Sequence, residues 1–225
     1  MNLEVLLLPG FHGTTALFDV FVRAAPSWAR PIPMALPAEP LDSYRSFLAR
    51  TVGAIRNRPA PIIVAESFSG PLAVLLAREM GTELSLLVLV NTFVRFPYHR
   101  IRPLLPWGAL GRLGRAPAAL RHLLTGGNAH WASRLSVEAY AVPRNVFDAR
   151  VAAVVHADVV REFSELTCRT VILVGTEDRL IRPSCAREMH ALRPDAVAEE
   201  IEAPHLLLQM APVAAWRRIA DNIEP

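Results

Sequence analysis

The run Ile62-Ile63-Val64-Ala65-Glu66-Ser67-Phe68-Ser69-Gly70-Pro71 has the residue types for nucleophilic chemistry at a sharp turn. Where an apolar strand passes at once into a helix, a serine at the apex projects its hydroxyl outward if small residues flank it two positions away on either side. Ser67 has Ala65 and Ser69 at those positions, with Gly70 following. Centring the turn on Ser69 puts Pro71 at the second flank and draws the serine into the helix. An ordinary helix N-cap fits Ser67 equally well, since a serine oxygen accepts free N–H groups of a first helical turn. Groups able to move protons occur further along: Glu177-Asp178 after an apolar run, and His205 in a proline-containing loop. Taken alone, such an acid is a cap or a surface charge, and such a histidine is a solvated loop residue.

These positions need elements to hold them. Apolar runs at 4–8, 32–36, 62–65, 84–90, 170–175 and 196–201 alternate with helix-period segments, which is the pattern of βαβ units and a parallel sheet. Several runs are apolar at nearly every position, as strands buried on both faces require. The clearest helix covers 43–56, with Tyr44, Phe47, Leu48, Thr51, Val52 and Ile55 on one face behind Asp42 as expected N-cap. Residues 71–77 are apolar around the whole helix circumference, start with Pro71 and stop at Gly81, so a central buried helix is expected there. A last helix is expected from Pro212.

From residue 4 onward the sequence resembles the α/β-hydrolase superfamily. The resemblance is carried by Ala65-Glu66-Ser67-Phe68-Ser69 in place of G-x-S-x-G, by Leu6 to Thr14 with Pro9-Gly10 where His-Gly is usual, by Gly175-Thr176-Glu177-Asp178, and by Ala203-Pro204-His205. It implies a mostly parallel sheet of about six strands with helices on both faces and a small helical cap. It also implies Ser67 as nucleophile, His205 as general base and Asp178 as the carboxylate orienting it, in the family's chain order. Glu177 is the weaker choice of acid. The backbone N–H groups of Phe11 and Phe68 are the implied oxyanion donors. Among the other histidines, His12 is the one expected to touch substrate. A serine nucleophile sets aside the branches that use aspartate, namely haloalkane dehalogenases and epoxide hydrolases.

All 24 basic residues are arginine, which excludes chemistry needing a lysine amine, the hydroxynitrile lyase branch included. Residues 93–150 hold nine arginines against two acids, a net of +7, while the rest of the chain is net −4. That stretch is read as a cap inserted between core segments 1–92 and 151–225. Leu104, Leu105 and Trp107, with Leu110 and Leu113, are expected to line an acyl pocket, and Arg112, Arg115 and Arg121 to meet an acidic partner. Cap and core resemble pimeloyl-acyl-carrier-protein methyl ester esterases of biotin synthesis, which implies an acyl carrier protein as that partner. The expected function is a carboxylesterase acting on small-molecule esters, with the carrier-bound ester as the alternative and an inactive scaffold further behind. No cofactor, metal or nucleic-acid partner is expected. Cys168 and Cys185 lack ligand spacing and are read as free thiols. No apolar run approaches the ~20 residues a bilayer requires, and the first residues lack a signal-peptide pattern, so a cytoplasmic location is expected.

Overall fold

Side chains of a strand alternate between its two faces, so a run that is apolar throughout must be covered on both sides. The computed structural model, which describes residues 2–56, 62–98 and 122–223, satisfies this with one parallel sheet. Its strands are β1 Leu3–Leu8, β2 Ala29–Pro33, β3 Ile62–Glu66, β4 Leu86–Val90, β5 Arg169–Gly175 and β6 Val197–Ile201, in spatial order β2-β1-β3-β4-β5-β6. Every neighbouring pair is parallel.

The alternation divides the core in two. Leu6, Leu8, Ile63, Ala65, Leu87, Leu89 and Ile172 face α2 Tyr44–Ile55 and α3 Gly70–Met80. Val5, Leu7, Ile62, Val64, Leu86, Val88 and Val171 face α1 Asp19–Arg23 and the last helix, Pro212–Ala220. On that second face Trp216 stacks on Phe21 at 4.3 Å and donates its indole N–H to the Phe21 carbonyl at 2.8 Å. Helix α3 is apolar on every side because it is buried on every side from Gly70 to Ala77.

Three sequence expectations are corrected. The second strand lies at Ala29–Pro33 rather than 32–36, because its pairing with β1 begins at Leu3 opposite Ala29. An edge strand with one free side tolerates Pro31 and Pro33. Helix α2 is capped by Ser43, not Asp42: Ser43 is extended (φ −146°, ψ 150°) and its side chain accepts the Ser46 N–H. The fourth strand starts at Leu86, since a 3-10 turn occupies Gly81–Glu83. Cys168 and Cys185 are buried and unpaired with each other. No helix among the described residues is long and apolar enough to cross a membrane.

The chain steps from β1 to β2 on one side and then back to β3 on the other, so the sheet changes direction between β1 and β3. A crevice opens beyond the carboxyl ends of strands at such a point. Nearby, β5 ends tightly against the chain that follows β6: a Cβ on Gly175 would sit 2.5 Å from the Ala203 carbonyl oxygen and 2.9 Å from that of Pro204. Gly175→Ala is therefore expected to lower the melting temperature by several degrees, at ~1–3 kcal/mol for overpacking against backbone and ~2–4 °C per kcal/mol in a chain of this size. Differential scanning calorimetry measures it.

Candidate active site

At the C-terminal end of β3 the backbone turns through Ser67 at φ 51°, a left-handed conformation unusual for a residue with a side chain. Three contacts hold it there. Thr92 donates its hydroxyl to the Ser67 carbonyl, and Gly70 leaves the room Thr92 occupies, since a Cβ there would overlap the Thr92 side chain. Ser69 donates to the Pro9 carbonyl, tying the turn to the loop after β1. Ser69 is fully buried, which removes it as a rival to Ser67.

The structure brings Ser67, His205 and Asp178 together from the ends of three strands. His205 Nε2 lies 2.8 Å from Ser67 Oγ, and His205 Nδ1 lies 2.7 Å from Asp178 Oδ2. The other Asp178 oxygen accepts the N–H groups of Leu180 and Ile181 at 2.8 and 2.9 Å, which aims the carboxylate. With Nδ1–H donated to Asp178, Nε2 is free to accept the serine proton. Glu177 is exposed and its side chain takes no part in this chain of bonds.

Asn91, which sequence reasoning missed, locks the arrangement. It follows β4 at φ 44°. Its side chain accepts the Gly175 N–H at 2.7 Å and donates to the carbonyls of Pro204 and His205 at 3.2 and 3.0 Å. One amide thus joins the loops carrying Asp178 and His205. The signal was a polar pair, Asn91-Thr92, directly after an all-apolar strand.

The alpha/beta hydrolase family profile matches residues 5–219. The chain belongs to the α/β-hydrolase family. Its fold is similar to that of an Exiguobacterium antarcticum esterase (14% identity, 100% of this chain and 92% of that one, TM-score 0.84). It is also similar to a thermophilic esterase from Thermogutta terrifontis (18%, 98% and 89%, 0.81). An enol-lactonase from Burkholderia xenovorans LB400 shares it as well (16%, 98% and 91%, 0.78). No curated protein matches the sequence.

In this α/β-hydrolase the serine opens into a cavity of about 370 Å³. Phe11, Phe68, Phe96, Phe147, Leu180 and Leu206 give it an apolar wall. Among the described residues nothing accepts the Phe11 N–H. His12 is buried at the cavity, and its Nδ1 accepts the Thr14 N–H at 3.2 Å. Burial, helped by Arg150, lowers its pKa to about 4, so the ring is neutral with its proton on Nε2. Leu104, Leu105, Trp107, Leu110, Leu113, Arg112, Arg115 and Arg121 lie outside the described residues.

Beside the serine, Glu66 is buried with Gln209 donating to it at 3.1 Å, while its second oxygen has no partner among the described residues. Burial pushes its pKa up from 4.5 to about 7; the Gln209 hydrogen bond and nearby His205 oppose this, and Asp178 adds to it. Between those two values the folded chain keeps a proton that the unfolded chain has lost, so this group's contribution to stability falls as pH rises through that window. Glu66→Gln removes the term. The variant is expected to gain on wild type as pH rises from about 4.5 to about 7, read from urea midpoints of both proteins at each pH.

Proposed function

We propose that this chain is a serine hydrolase of carboxylic esters, working through Ser67, His205 and Asp178 and a covalent acyl-enzyme. The observation that supports it is the unbroken hydrogen-bond line from the Asp178 carboxylate through His205 to a serine hydroxyl facing an apolar cavity. In this reading Ser67 Oγ attacks the ester carbonyl while His205 Nε2 takes its proton. The carbonyl π pair moves onto oxygen, which the N–H groups of Phe11 and Phe68 receive. The intermediate collapses, the C–O bond to the alcohol breaks, and His205 returns the proton to the leaving oxygen. Water then repeats the sequence on the acyl-enzyme. Asp178 holds the ring in the tautomer required and stabilises the imidazolium.

The cavity wall favours apolar acyl groups, and two of the fold's neighbours are esterases while a third is an enol-lactonase. Residues 93–150 serve as a cap in this proposal. The chain closes that excursion at its base, where Phe96 N–H donates to Ala157 at 3.0 Å and Val159 N–H to Val94 at 2.8 Å. Helices on the excursion supply Leu135, Ala139 and Phe147 to the cavity.

The surplus of arginine favours a second reading, in which the ester rides on an acidic acyl carrier protein. Arg95, Arg134 and Arg144 are already paired with Glu188, Asp19 and Asp148. The partner surface in that reading therefore consists of other arginines of the stretch, Arg112, Arg115 and Arg121 among them.

Ser67→Ala is expected to abolish both ester hydrolysis and labelling by a fluorophosphonate, with adduct mapping to Ser67 in wild type; Ser69→Ala loses far less. His205→Ala is expected to cost several orders of magnitude in kcat and Asp178→Asn somewhat less, since oxyanion donors remain. Wild-type turnover by Ser67→Ala would dismiss the assignment. For the carrier reading, raising salt from about 0.05 to 0.5 M should lower kcat/KM for a carrier-bound methyl ester and leave a neutral p-nitrophenyl ester unchanged. Equal responses leave the small-ester reading alone.

A further inference from the structure

Arg150 is an anomaly of charge. It lies on the helix Arg144–Val155 and is only 2% exposed, yet no carboxylate pairs with it among the described residues. Segment 99–121 contains no acidic residue at all. Its partners are carbonyl oxygens: Nη1 donates to Phe11 at 2.7 Å and Nη2 to Pro37 at 3.1 Å, and Nε finds none among the described residues. Burial lowers its pKa to about 10, which leaves it charged at neutral pH. A buried cation normally carries a large desolvation cost unless an anion sits beside it.

The loop after β1 is shaped to lie on this guanidinium. Gly13 adopts φ +76°, and a Cβ there would fall within 3 Å of Nη1, Nη2 and Cζ of Arg150. The ring of His12 beside it is neutral and offers no negative charge. Phe11, whose carbonyl Arg150 grips, has an N–H that finds no acceptor among the described residues. On the other side of that loop, a Cβ on Gly10 would be 3.7 Å from Ser67 Cβ.

We propose that Arg150 is a positioning residue for the hydrolytic step, fixing the Phe11 N–H and placing an unneutralised positive charge behind the oxygen that becomes negative when Ser67 attacks. The missing anion is then the tetrahedral intermediate itself. A fixed charge in a water-poor site needs no reorganisation as the oxyanion forms, so it acts on the transition state more than on bound ester. This rests on Ser67 being the nucleophile.

The test compares wild type with Arg150→Lys, which keeps the charge, and Arg150→Gln, which keeps a donor without it. Three quantities are read: kcat and KM for p-nitrophenyl butyrate, the Ki of an alkyl boronic acid whose Ser67 adduct is a tetrahedral anion, and the Ki of a neutral ketone competitor. The expected result is a loss of about 10- to 100-fold in kcat and in boronate affinity for Arg150→Gln, with KM and ketone affinity within threefold. Arg150→Lys should recover most of both losses. If Arg150→Gln does not fold, Gly13→Ala, which drives a methyl group into the guanidinium, should show the same selective loss. Unchanged boronate affinity in the folded variant, or equal losses for boronate and ketone, overturns the proposal. Wild-type protein that neither turns over ester nor takes a fluorophosphonate overturns the serine-hydrolase reading itself, a result distinct from either of these.

Discussion

A serine held at positive φ is the constraint on which the rest of this molecule depends. Such a backbone costs about 1–3 kcal/mol and persists only where the surroundings over-determine it. Here a threonine from the end of β4 grips the Ser67 carbonyl, a neighbouring serine grips the loop after β1, and Gly70 lets β4 approach. Those partners come from three strands, so the turn is formed only once the sheet is assembled in its observed order. The helix α3 that follows is buried throughout and anchors the turn from the other end.

The ends of β3, β4 and β5 form a polar floor in an otherwise apolar interior. Asn91 satisfies the Gly175 N–H at the end of β5 and two carbonyls, those of Pro204 and His205, in the loop after β6. Leaving such groups unpaired costs about 1–3 kcal/mol each, so one side chain sets the relation of the loops bearing Asp178 and His205. Glu66 stands apart as a buried carboxyl held by Gln209, with its pKa raised to about 7 by burial. Its state of charge bears on stability between about pH 4.5 and about pH 7.

The described arginines of 93–150 fall into two groups. Arg95, Arg134 and Arg144 are tied to carboxylates at the surface or partly below it, where each pair contributes little. Arg150 is tied, among the described residues, to backbone carbonyls and lies against the loop after β1. Similarity to the esterases and the enol-lactonase, at 14 to 18% identity, extends to the fold alone.

Local pattern was enough to reveal the parallel sheet, because strands covered on both faces must be apolar at every position, and it revealed α3 for the same reason. The order of Ser67, Asp178 and His205, each after an apolar run, was also legible, since residues at strand ends are marked by where the run stops. Tertiary structure decided what periodicity does not encode. The edge strand settled at Ala29–Pro33 because its pairing with β1 outweighed its apolar pattern. Ser43 rather than Asp42 became the cap because one residue of backbone conformation separates them. Asn91 and Arg150 gained their roles from partners 84 to 139 residues away along the chain, and a hydrogen bond across that separation depends on the path of the backbone rather than on either residue's neighbours in sequence.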